Sequence, residues 1–157
     1  MFGRRPSTYL PAVAAFGPDG ERQGWEQFLR YANSIFAEYG DIPFVHWAQY
    51  ETTHIKTCIA RYGDREGIAA RVLANLLDLL PITQRSIALP LPSYSLKVVE
   101  KHVGFKRTQK EYGGDWSIAK FIEATETEDE KERAEVMDLI LTYNQLESNE
   151  FQPVSQP

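Results

Sequence analysis

The chain has 157 residues, 43% of them hydrophobic, with 17 basic and 22 acidic side chains and a net charge of −5. That supplies one core of ordinary domain size and excludes a uniformly basic, nucleic-acid-coating protein. With no apolar run of about 18 residues and no signal-like apolar stretch in MFGRRPSTYLP, no membrane partner is expected and a cytoplasmic location is.

The single cysteine, Cys58, excludes an internal disulfide, and with His46, His54 and His102 it makes no zinc ligand set. Any bound metal is expected to be a hard ion held by oxygen. The charge is unevenly placed. Residues 85–110 hold 6 basic side chains and one acidic, whereas residues 111–157 hold 3 basic and 12 acidic. A short basic segment of this kind either tracks a phosphate backbone or forms a solvated helix face.

In chain order, Tyr9–Phe16 (YLPAVAAF) reads as an edge strand, because Pro11 cannot donate to a ladder, closed by the turn Gly17-Pro18-Asp19-Gly20. Trp25, Phe28, Leu29, Ala32, Ile35 and Phe36 recur at helical spacing, which predicts a helix over Gln23–Tyr39. Ile42–Ala48 (IPFVHWA) predicts a short interior strand. Helices are then expected from Glu51 to Gly63 and over Arg65–Leu76, followed by LLDLLPI with Asp78 inside an apolar stretch. After the loop ALPLPSY, Ser93 or Ser95 caps a helix that stops at Gly104. Trp116–Ala124 predicts another helix, and a long one begins near Glu128. Residues 1–147 are read as one domain and 148–157 as a disordered tail. Strands alternating with helices define an α/β class. The three tryptophans, Trp25, Trp47 and Trp116, are assigned to core packing.

Four features carry candidate chemistry. Glu51 follows the strand Val45-His46-Trp47-Ala48 at once, at the carboxyl end where open α/β sheets bind ligands; equally, an acid there favours a helix N-terminus. Asp78 sits among apolar neighbours, so its carboxylate needs a cation, a metal or backbone N–H groups at a strand end. Tyr143 and Glu147 are four apart and share a helix face, where a phenol can orient water beside a metal-bound acid; the simpler account is an amphipathic helix end. Lys97 and Lys101, with Lys106 and Arg107 beyond them, suit sequence-independent phosphate contacts.

Taken in order, VHWAQYE, LLDLLP, LPSYSLKVVEKHVGF and YNQLE resemble the RNase H-like domain of the predicted RecB-family nucleases, of the DEDD exonuclease type, over about residues 20–147. The resemblance implies an RNase H-like fold and a 3′ to 5′ nuclease acting on DNA or RNA. It makes Glu51 and Glu147 metal-site acids for Mg²⁺ or Mn²⁺, Tyr143 the water-orienting residue and Asp78 a supporting acid. It also implies a helicase or RecB-type nuclease as partner. The Asp-x-Glu expected on the first strand is matched only by Asp19-Gly20-Glu21, in a turn, and Glu147 replaces the family's Asp. The expectation is therefore a fold incomplete at its N-terminus, missing its first strand or strands, with an unpaired edge open to homodimerisation. The alternative function is a catalytically inactive module that binds nucleic acid or protein. The nuclease reading requires Glu51, Asp78 and Glu147 to converge on one pocket.

Overall fold

The computed structural model describes residues 9–13, 16–104 and 114–149. Its elements are α1 (Gly20–Tyr39), β1 (Phe44–His46), α2 (Tyr50–Tyr62), a single 3₁₀ turn (Arg65–Gly67), α3 (Ile68–Ala74), β2 (Leu76–Asp78), α4 (Leu79–Ser86), α5 (Leu96–His102), α6 (Gly114–Glu126) and α7 (Glu130–Asn149). The architecture is mostly helical α/β with a small two-stranded parallel sheet. No described helix is long and apolar enough to cross a membrane.

The described residues divide into two compact units, one within Leu10–Tyr94 and one from Ser95 onward. The boundary falls inside the SYSLK motif rather than at a linker.

In the first unit, the helical spacing along α1 puts Trp25, Ala32 and Phe36 on one buried face. They meet Ile55 and Cys58 of α2 and Ile68, Ala69 and Val72 of α3, and Phe44 and Leu76 of the strands pack against that cluster. Trp25 also stacks on Phe28 at 5.3 Å. Helices α2 and α3 thus form the crossover that returns the chain from β1 to a parallel β2, as a parallel pair requires. Gly63 ends α2 with φ +81, its N–H reaching Ile59 O at 2.9 Å and its carbonyl accepting the Trp25 indole N–H at 3.0 Å.

Several boundaries differ from expectation for local reasons. Helix α1 starts at Gly20, one turn earlier than its apolar periodicity shows, because its first turn is exposed and polar. The helix expected over Arg65–Leu76 begins as a 3₁₀ turn, with Glu66 at φ +63. It ends at Asn75, which releases Leu76 into β2; Asp64 accepts from the N–H groups of Ala69 and Ala70, at 2.8 Å each, and caps α3. Strand β1 is confined to three residues and has one ladder partner among the described residues, not the two of an interior strand. Of the strand expected over Tyr9–Phe16, residues 9–13 join no ladder, and Val13 instead donates to Gln27 Oε1 at 2.7 Å; residues 14 and 15 lie outside the described residues.

In the second unit α6 and α7 form an antiparallel hairpin around Ala124, Val136 and Ile140. Asp129 accepts from Lys131 N at 2.8 Å, and Arg133 donates to the α6-end carbonyls of Ala124 and Thr127. One acid therefore starts α7 and one arginine closes α6. Helix α7 runs to Asn149, and the remainder of the expected tail lies outside the described residues.

Candidate functional site

The carboxyl ends of β1 and β2 lie side by side, with His46 the register partner of Asp78. Strand alternation puts Phe44 and His46 on the helix-covered face and turns Val45 and Leu77 outward, 44% and 37% exposed. The inward position explains why His46 is only 5% exposed despite its polarity.

Beyond His46 the chain must turn sharply to start α2. It does so through Ala48, whose φ of +66 lies in the left-handed region that non-glycine residues rarely adopt. Asp78 holds that turn. Its Oδ1 accepts the N–H of Ala48 at 2.9 Å and the N–H of Leu80, at the start of α4, also at 2.9 Å. Asp78 is thus a half-buried strand-end acid bonded to backbone amides. This gives Oδ1 two backbone partners and ties the two strand ends together.

Glu51 occupies the second position of α2, where the helix dipole favours an anion. Its side chain is 45% exposed and its Oε2 lies 3.5 Å from His46 Nδ1. That separation exceeds a proper hydrogen bond. The Nδ1 atom is itself buried without a hydrogen-bond partner among the described residues, an arrangement that costs about 1–3 kcal/mol. The rim of this corner is fixed by Trp47, whose indole N–H donates to Tyr94 O at 3.0 Å. The Tyr94 hydroxyl accepts Leu89 N–H at 3.0 Å and donates to Ile87 O at 3.1 Å, which folds the proline-containing loop against the strand end.

Sequence reasoning quoted Tyr50 only as part of the VHWAQYE motif and gave neither Tyr50 nor His54 a role. Tyr50 is 75% exposed beside Glu51, and its ring stacks on His54 with centroids 6.0 Å apart and 4° between planes. The i, i+4 spacing of an aromatic pair in the first turns of a helix was the available signal. The three tryptophans take packing roles: Trp25 is buried, and Trp47 and Trp116 are half-buried.

The remaining candidates belong to the second unit. Tyr143 is 5% exposed and meets the Trp116 ring edge-on at 5.6 Å. Glu147 follows one turn later on α7, and its side chain lies outside the described residues. Lys97 and Lys101 are exposed on α5, one turn apart, whereas Lys106 and Arg107 lie outside the described residues.

Among the described residues no group of three His, Cys, Asp or Glu side chains is arranged to hold a metal ion. Asp78 spends Oδ1 on two amides, and Glu51 has His46 as its one described polar neighbour. These residues do not by themselves compose a metal site.

An acid delivered at the carboxyl end of a parallel strand pair stands where open α/β sheets bind ligands. The model of the RNase H superfamily matches residues 3–152, and the chain belongs to that superfamily, which makes it a nuclease-like domain. No curated protein and no solved structure matches it.

Proposed function

We propose that this chain is a nuclease domain of the DEDD 3′ to 5′ exonuclease type, acting on phosphodiester bonds of DNA or RNA. The observation that carries the reading is the Glu51 corner: a solvent-reaching carboxylate at the end of β1, 3.5 Å from a buried, unbonded imidazole nitrogen, in a chain of the RNase H superfamily. In this reading Glu51 is the site acid, and Asp78 is a positioning residue that acts through Ala48. The same reading gives Tyr143 a water-orienting role, makes Glu147 a metal-site acid and has Lys97 and Lys101 hold phosphates.

RNase H superfamily nucleases generally use divalent metals. The reading accordingly makes cleavage dependent on Mg²⁺ or Mn²⁺, with Glu51 and Glu147 each proposed as a metal-site acid. The chain's own contribution at this corner is to present Glu51 towards solvent on a turn that Asp78 keeps rigid. A helicase or RecB-type nuclease partner and a cytoplasmic location are parts of the same proposal.

The test is degradation of end-labelled single-stranded DNA and RNA with Mg²⁺, with Mn²⁺ and with chelator. The expected result is shortening from the 3′ end that chelator abolishes and that Glu51→Gln lowers about a hundredfold or more. Equal degradation by wild type and Glu51→Gln would overturn the assignment of Glu51. A second reading is a catalytically inactive nucleic-acid-binding module, for which Lys97 and Lys101 stand one turn apart on α5. It predicts no cleavage under any metal, with salt-sensitive binding that persists in chelator and weakens on Lys97→Ala.

A further inference from the structure

At the opposite end of α2 from Glu51, a separate cavity of about 570 Å³ opens between α1, the end of α2 and the 3₁₀ turn. Twelve residues of helix separate Tyr50 from Tyr62, a rise of roughly 18 Å, so this cavity is distinct from the strand-end corner. Four arginines line it, Arg22, Arg30, Arg61 and Arg65, against two glutamates, Glu26 and Glu66. A cluster of four guanidiniums is unexpected in a chain of net charge −5.

The arginines are not all consumed by structure. Arg61 is held by both oxygens of Glu21, at 3.0 and 2.9 Å, and offsets the negative end of α2. Arg65 has only a loose, exposed contact with Glu66 at 3.8 Å. Arg22 lies 5.9 Å from the Tyr62 ring centre. Among the described residues Arg22 and Arg30 form no ion pair; both are exposed, and eight residues apart they project from the same side of α1. Apolar wall is supplied by Trp25, Leu29 and Ile68. The volume is that of a small-ligand site, with apolar wall and convergent cationic donors.

We propose that this cavity binds a nucleoside phosphate unit, its phosphate held by Arg22 and Arg30 and its ring faces set against the apolar wall. Guanidinium forks match phosphate oxygens in pairs, and a base offers the flat apolar face that the wall accepts. The unit is either one residue of a single strand or a free nucleotide, since both present the same chemistry. The proposal draws on the nucleic-acid part of the functional reading but needs no hydrolysis.

The experiment measures fluorescence anisotropy of a labelled oligothymidylate with the full chain in chelator, over a range of salt. Chelator keeps the result independent of cleavage, so failure here and failure of the nuclease reading are separately visible. The double variant Arg22→Gln with Arg30→Gln should bind about tenfold more weakly at low salt. Its log–log salt slope should fall by about 0.7, the loss of one single-strand phosphate contact. Displacement of the oligomer by thymidine monophosphate would support the site and identify the free nucleotide as its occupant; resistance to displacement, together with the variant effect, would identify the strand. Both substitutions lie on an exposed helix face, and circular dichroism verifies that the variant is folded. The control is Lys56→Gln with Arg71→Gln, which removes equal charge elsewhere in the same unit. Unchanged affinity and slope in the first variant, equal loss in the control, or no binding by wild type would each overturn the proposal.

Discussion

Asp78 Oδ1 and the Ala48 amide, thirty residues apart, are joined by a hydrogen bond of 2.9 Å. The bond ties the end of β2 to the turn that launches α2, and the same oxygen caps α4 through Leu80. One carboxylate therefore sets the angle at which Glu51 leaves the sheet.

Removing that carboxylate should be costly. Asp78→Ala leaves two half-buried amides without their acceptor, and a loss of about 2–3 kcal/mol of stability is expected from the charged hydrogen bonds and the helix cap together. Asp78→Asn keeps an oxygen in place and should lose about 1 kcal/mol or less. Denaturant titration of the two variants separates these outcomes, and equal loss in both would show that charge, not acceptor geometry, sets the role of Asp78.

The left-handed Ala48 carries a strain that glycine would not. Ala48→Gly should raise stability by about 1 kcal/mol, which for a chain of this size is a rise of roughly 2–4 °C in Tm. A thermal melt checks this. A fall in Tm would mean that the Ala48 methyl is worth more in packing than the strain costs.

The exposed cluster of Glu21, Tyr62 and Arg61 predicts a defined pH window. The Tyr62 hydroxyl first, and the Arg61 guanidinium with it, hold the Glu21 carboxyl below its ordinary 4.5; the Glu21 hydrogen bond holds the Tyr62 hydroxyl above its ordinary 10.0. A depressed carboxyl contributes stability above its unfolded value and loses it as pH falls through the folded one. A raised phenol contributes below its unfolded value and loses it as pH rises through the folded one. The Tm difference between wild type and Glu21→Gln should therefore be largest between these ordinary values, shrink towards both extremes, and diminish with salt because the cluster is solvent-exposed. A difference that stays constant into acid would refute the linkage.

Cys58 is 2% exposed, and burial first, with the Glu21 charge adding to it, pushes its thiol above the ordinary 9.0. Labelling by a thiol reagent should accordingly be slow in the native chain and fast in denaturant, because the thiolate forms only when α2 opens. Rapid stoichiometric labelling without denaturant would place α2 outside the stable core.

What the amino-acid order determined by itself was local. The period of Trp25, Ala32 and Phe36 specified the buried face of α1, and the glycines after Tyr39 and Tyr62 specified where helices stop, since both signals act within a turn or two of chain. The α/β class was legible for the same reason. Only the tertiary structure decided that Asp78 bonds Ala48 and that His46 is buried with Nδ1 beside Glu51. It also decided that arginines from α1, α2 and the 3₁₀ turn surround one cavity. Each of these joins residues distant in sequence, and such pairings depend on strand register and helix packing. The three-residue strands β1 and β2 were hard to bound in advance because a ladder this short takes its extent from its partner and not from its own composition.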